Sequence, residues 1–222
     1  VAASVPERRR KDLIYFNVPD LDLKWRFNPL ADVPPLRRSL TASFLVDAFK
    51  KIWPDFWGPR MEHILRHAFI VLLDQPRATL ADVLRLFSDR TYREQAVESC
   101  TNPAAWAFWR SEFEKYWPRM RAEAIAPIQN KIGAFLAHPA LQRVLLRPGP
   151  LINPRQVMDG GKILLVNLAK GRLGEDVAAL LGSMLVSSMG LAALGRAEAP
   201  EGDRRDFFVF LDEFQTFTTL AL

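Results

Sequence analysis

Cysteine is almost absent. Cys100 is the only one in 222 residues, which excludes an internal disulfide and makes a reducing compartment the economical expectation. Histidine is nearly as scarce, with three in the chain. His63 and His67 stand one helical turn apart, but no Glu of a zinc-protease pattern and no third ligand accompanies them, so packing or surface roles are expected. Compositional extremes are missing too: apolar residues make up 49% and charged ones 25%, which excludes disordered and fibrous classes. A chain of this length can bury a substantial core as one large domain or two modest ones. It opens on Val1 and runs only a few residues past its last notable motif, so it reads as an internal piece of a longer protein.

Positive charge is in excess and unevenly spread. The net charge is +5 and the pI about 9.6, while residues 33–150 hold 17 Lys and Arg against 11 Asp and Glu, an excess of six that leaves the remainder near neutral. Such a middle region suits a polyanionic partner such as DNA, or an acidic protein; a solvated basic helical surface accounts for the same numbers. Residues 177–194 carry no charge over eighteen positions, the length of a membrane span. They are crowded with Ala, Gly and Ser and flanked by strand-like segments, so a helix lying close against a sheet is expected there.

The chain changes period twice. Residues 1–11 are polar and basic, and Asp12-Leu-Ile-Tyr-Phe-Asn17 has strand composition. Asn28-Pro29 marks a bend, and Pro34-Pro35 stops any regular element. From residue 39 to 146 the apolar positions recur at helical spacing. Ser39 or Thr41 is a candidate cap for the first helix, Pro59 suits the first turn of a second, and Thr79 with Asp82 forms a capping-box-like start for a third. A fourth helix is expected near residues 92–97. Asn102-Pro103 opens a fifth, with Trp106, Trp109, Phe113 and Trp117 at intervals of three and four. That aromatic stripe fits a core seam better than a platform for stacked bases. Pro127 should kink or split the helix that follows.

Past Pro150 the pattern returns to strands. Lys162-Ile-Leu-Leu-Val-Asn167 reads as a strand buried on both faces, followed by a Gly-containing loop with Lys170, Gly171, Arg172 and Gly174, then the small-residue helix. A second run of the same kind, Phe207-Phe-Val-Phe-Leu211, breaks off at Asp212 and Glu213. Strand, helix, strand in this order is a βαβ unit with an expected right-handed crossover, and the strand near Leu13 would join its sheet. The expectation is an α/β fold in which residues 1–32 and 151–222 form one domain and 33–150 an all-helical insertion.

Two carboxylates at the carboxyl end of a sheet strand stand where open α/β sheets hold ligands. In that place an Asp holds Mg²⁺, because a small hard cation takes oxygen ligands and keeps several waters, and a neighbouring Glu can take a proton from attacking water. Asp212 fits the first role and Glu213 the second. Many strands, however, end in acids that merely face solvent. The glycine-rich loop GxxxxGK[ST], whose backbone N–H groups cradle phosphates, is absent; Gly160-Gly161-Lys162 precedes a strand instead of opening a helix. On this reading the loop lies upstream of Val1, and the chain alone binds ATP poorly.

Asn28-Pro29-Leu30, Asn130-Lys131-Ile-Gly-Ala-Phe135-Leu136, the run from Gly161 to Gly171 and Phe208-Val-Phe-Leu-Asp212-Glu213-Phe214-Gln215 together resemble the TraD/TraG-type coupling ATPases of conjugation and type IV secretion, in the HerA/FtsK group. The resemblance spans residues 13–217. It implies an incomplete RecA-like P-loop NTPase sheet carrying an all-α insertion, ATP and Mg²⁺ as cofactors, and a homo-hexameric ring at the cytoplasmic face of the bacterial inner membrane. Its implied partners are single- or double-stranded DNA and proteins of the secretion machinery. By the same likeness Asp212 matches the magnesium-binding Asp and Glu213 the catalytic Glu, and the loop 170–174 brings in Lys170 and Arg172 as nucleotide-binding candidates. The competing reading is a non-enzymatic adaptor that binds DNA or protein through residues 39–146; a metal-dependent nuclease built on Asp212 and Glu213 ranks last for want of further carboxylates.

Overall fold

A computed structural model describes residues 2–217, apart from the Phe56 side chain; residues 218–222 of the expected last segment lie outside the described residues. Most of the chain is helical, with one small parallel sheet. Strands β1 (Leu13–Asn17) and β2 (Ile163–Asn167) pair in register, Leu13 opposite Ile163 through to Asn17 opposite Asn167. A parallel pair cannot close through a tight turn, and here nearly the whole helical region serves as the crossover. The excursion leaves and returns side by side: Arg26 N–H donates to Pro150 O at 2.9 Å, and Ile152 N–H donates back to Arg26 O at 2.8 Å.

The helices start where backbone chemistry permits. Helix α1 (Arg38–Ile52) continues from a 3₁₀ turn at Pro35–Arg37; α2 (Pro59–Leu73) opens on proline, and α3 (Ala81–Ser88) follows a Thr79–Asp82 cap in which the Asp82 carboxylate accepts from the Thr79 N–H and hydroxyl at 2.8 and 2.9 Å. Asp89 caps α4 (Arg90–Glu98), and Asn102 caps α5 (Pro103–Ala107), whose proline needs no N–H partner at that position. Then come α6 (Pro118–Ala137) and α7 (Pro139–Leu145), followed by α8 (Pro154–Asp159) with Asn153 as its cap. The one-turn α9 (Lys170–Leu173), the long α10 (Glu175–Gly195) and the short α11 (Phe214–Phe217) complete the set.

Several expectations are corrected. Ser39 and Thr41 lie inside α1 and do not cap it: the Thr41 hydroxyl donates to Arg37 O and that of Ser43 to Ser39 O, because the prolines already set the entry conformation. Of the two outcomes expected at Pro127, a split does not occur: the residue sits within α6, which runs as one element across it. After α5 the backbone passes through a π turn (Phe108–Glu112) and a 3₁₀ turn (Phe113–Lys115), and this change of pitch divides the aromatic stripe. Trp109 and Phe113 are fully buried, whereas Trp106 is 43% and Trp117 68% exposed.

The run 207–211 is not a strand. Phe207 leans on the core, but Phe208 is 75% and Phe210 91% exposed, and no described backbone pairs with this segment. Apolar composition permits a strand, but only a neighbour that exchanges backbone hydrogen bonds creates one. The expected β–α–β unit is therefore not closed. For the same reason β2 is half-buried in its first part and exposed at Val166 and Asn167 instead of being covered on both faces.

A single contiguous set of buried apolar side chains runs from Ile14 to Leu185, with Phe16, Phe49, Phe69, Ile128 and Leu180 deep inside it. Helix α10 is the hub: it packs on α1, α8, α9 and α11. The stretch Glu175–Glu198, with mean hydropathy 2.0, is long and apolar enough to cross a membrane, and 61% of its most apolar window is buried within the fold. Small residues permit that close packing.

At the amino end of the sheet, Lys162 donates to Asp12 at 3.1 Å, and Arg9 bonds both the Asp12 carboxylate (3.0 Å) and Gly161 O (2.7 Å). The Lys162 hydrogen bond is the main cause holding the Asp12 carboxyl below its ordinary range. A depressed carboxyl pKa contributes stability that is complete above the ordinary aspartate value and is lost as pH falls through the lowered one. Lys162→Met should therefore return Asp12 toward the ordinary range in an NMR carboxyl titration and make the acid limb of the stability curve shallower. An unchanged Asp12 titration would show that the pairing does not act in solution.

Candidate functional site

At the carboxyl end of the parallel pair the two strands are tied by their last residues: Asn167 Nδ2 donates to Asn17 Oδ1 at 2.9 Å. The Asn167 Oδ1 accepts from Ala169 N–H at 3.0 Å, and Ala169 takes a left-handed conformation with φ 43°. The chain thereby turns sharply from β2 into α9 and presents Lys170. Gly174, at φ 83°, makes a second bend before α10, a conformation open to glycine without steric penalty.

Lys170 Nζ lies 2.8 Å from Glu175 Oε1 and 3.6 Å from Glu213 Oε2. The Glu175 hydrogen bond is the larger cause raising the Lys170 pKa, with Glu213 adding to it. Glu213 also occupies the left-handed region, with φ 53°, and its N–H donates to Asp212 Oδ1 at 3.0 Å. A left-handed non-glycine residue costs about 1–3 kcal/mol and persists only where its surroundings impose it. Those surroundings are visible. Lys51, in the last turn of α1, donates to Gln215 O at 3.0 Å and Thr216 O at 2.9 Å. Phe217 fills a notch over Gly182 of α10, where a Cβ would collide with its ring.

Of the four residues singled out in the sequence, Lys170 and Glu213 meet, and Asp212 adjoins them through its bond to the Glu213 N–H. Arg172 is exposed on α9 and makes no ion pair among the described residues. All four side chains face solvent, so screening leaves the Lys170 ion pairs weak. What sequence reasoning missed is the anchoring of the acidic turn by Lys51, Gly182 and Phe217. No local signal marks it, since the residues are far apart along the chain.

No cluster of three His, Cys, Asp or Glu side chains suited to a metal occurs among the described residues. Magnesium keeps several waters and takes one or two carboxylates plus phosphate oxygens, a donor chemistry that the exposed Asp212 carboxylate fits. His63 and His67 pack with Phe108, the His67 ring stacking on it at 4.4 Å, and burial lowers the His67 pKa. Two concavities lie elsewhere: one of about 320 Å³ between the 27–34 segment, α8 and the end of α10, and an open cleft of about 700 Å³ walled by Arg38, Arg77, Arg147 and Gly149. Neither is lined by Lys170, Arg172, Asp212 or Glu213. No family model, curated protein or solved structure matches the chain.

Replacing Gly182 with valine should expel Phe217 and release the acidic turn, so that amides of residues 213–217 exchange roughly tenfold faster or more, as expected for a locally opened segment. Gly171→Ala, where a Cβ meets nothing within 4 Å, is the control and should leave exchange unchanged. Equal protection in both variants would remove the notch from the anchoring scheme.

Proposed function

We propose that this chain is part of a magnesium-dependent ATPase motor of the RecA-like kind, with Asp212 as the metal-binding carboxylate and Glu213 as the general base. The observation that supports the reading is the ion pair of Lys170 with Glu213, which holds the acidic turn against the loop leaving the carboxyl end of β2. Ligands of parallel α/β sheets gather at that end. Bound there, Mg²⁺ would neutralise charge on the phosphate oxygens.

The chain's own residues divide the remaining work. Glu213 accepts a proton from water once Lys170 parts from it, and Lys170 and Arg172 are the cations at hand for phosphate oxygens. Neither supplies the backbone cradle that a triphosphate needs, so the phosphate loop must come from outside residues 1–222. The reading carries with it a homo-hexamer, DNA as the moved polymer, contact with secretion or conjugation proteins, and a station at the cytoplasmic face of the inner membrane. The basic helical region is the surface offered to the polyanion.

A second reading draws on the exposed Trp106 and Trp117, with the Arg110 guanidinium 6.0 Å from the Trp106 ring centroid. Residues 39–146 would then bind a DNA or protein partner with no nucleotide dependence.

In an assembly that supplies the phosphate loop, Glu213→Gln should lower ATP turnover by about 10²-fold or more, the usual worth of a general base, while nucleotide binding stays intact. Turnover unchanged by the substitution would remove Glu213 from catalysis, and partner binding indifferent to nucleotide would favour the adaptor.

A further inference from the structure

Arginines of the helical region are paired almost throughout: Arg66 with Glu62, Arg85 with Asp89, Arg90 with Glu94, Arg93 with Glu114, Arg110 with Glu98 and Arg119 with Glu123. Among the described residues Arg60 and Arg77 stand apart as single unpaired residues, whereas at the root of that region three unpaired arginines come together. Arg26, Arg143 and Arg147 make no ion pair among the described residues. The backbone brings them together: Phe27 N–H donates to Val144 O at 3.0 Å and Arg26 N–H to Pro150 O at 2.9 Å. Gly149 lets the Arg26 side chain lie flat on the returning strand, since a Cβ there would stand 3.1 Å from Arg26 Cγ and 3.4 Å from its Nε.

Hydrogen bonding in the cluster is incomplete. Arg26 Nη1 donates to Leu23 O and Trp25 O, but Arg26 Nε and Arg143 Nε are buried with no acceptor. Buried donors are nearly always satisfied, and like charges held close together without a counter-ion disfavour the fold. Burial first, and then the neighbouring Arg147 and Arg143 guanidiniums, depress the Arg26 pKa below the ordinary arginine value. An anion held by the three guanidiniums relieves the uncompensated charge.

We propose that Arg26, Arg143 and Arg147 form an oxyanion site that takes a phosphate group. Planar guanidinium forks match phosphate oxygens two at a time, and a multiply charged oxyanion answers three cations better than a monocarboxylate does. Arg147 and Gly149 also line the 700 Å³ cleft, which is far larger than a phosphate ion, so the phosphate is one end of a larger molecule. The acids bordering that cleft are occupied: Asp74 by Arg38 and Thr101, and Asp32 by the Asn153 amide. The site shares no residue with the acidic turn and does not depend on nucleotide hydrolysis.

The test is thermal unfolding of the 222-residue chain with inorganic phosphate, pyrophosphate or sodium chloride at matched ionic strength. Phosphate and pyrophosphate should raise Tm saturably, as ligands of the native state do, and chloride should not. Arg147→Gln, an exposed change that leaves the fold intact, should weaken the apparent affinity for pyrophosphate about tenfold, the scale of one charge-assisted pair. Flotation with phosphatidylglycerol vesicles separates the sources: flotation lost in Arg147→Gln assigns a lipid headgroup, and no flotation beside a positive phosphate response assigns a soluble phosphorylated compound. A chloride response equal to that of phosphate, or an Arg143→Gln/Arg147→Gln variant that binds pyrophosphate as well as the parent, overturns the proposal.

Discussion

The in-register pairing of β1 with β2 is the constraint on which the arrangement rests. Parallel strands need a long crossover, and these two lie 150 positions apart in register, Leu13 opposite Ile163. Everything between must depart from the end of β1 and come back to the start of β2. The seam at Arg26 and Leu151 fixes both crossings at one place, so the helices of residues 33–150 grow from a common root. Their apolar faces then merge with that of α10 into one core.

Local chemistry was legible and long-range chemistry was not. Proline at the first turn marked the starts of α2 and α5, with Asn102 before the latter as its cap, because those signals act within three residues. Trp109 and Phe113 were legible as core, but Trp106 and Trp117 were not, since a π turn moved them off the buried face. The run 207–211 shows the limit most clearly. Its composition is that of a buried strand, yet a strand requires a neighbour, and no feature internal to five residues reveals whether one is present.

The site divides along the same line. Asp212, Glu213 and Lys170 stand out by residue type and by the loops that carry them. That Lys170 would approach Glu213 to 3.6 Å depends on two left-handed residues, Ala169 and Glu213, neither of which the sequence marks with glycine. Asn167 holds the first of these, and the anchors beside the second come from α1 and the middle of α10. Arg172, chosen by its nearness in sequence to Lys170, shares the loop but not the ion pair.

Lys51 has a mechanical consequence. It belongs to α1, within the helical region, yet its ammonium grips two carbonyls immediately beyond the acidic turn. A sliding of α1 along α10 by even part of a helical turn would either drag those carbonyls or let them go, and the carboxylates two and three positions earlier would follow. The helical region thus holds a tether on the acids, and whatever loads one end of α1 is transmitted to the other.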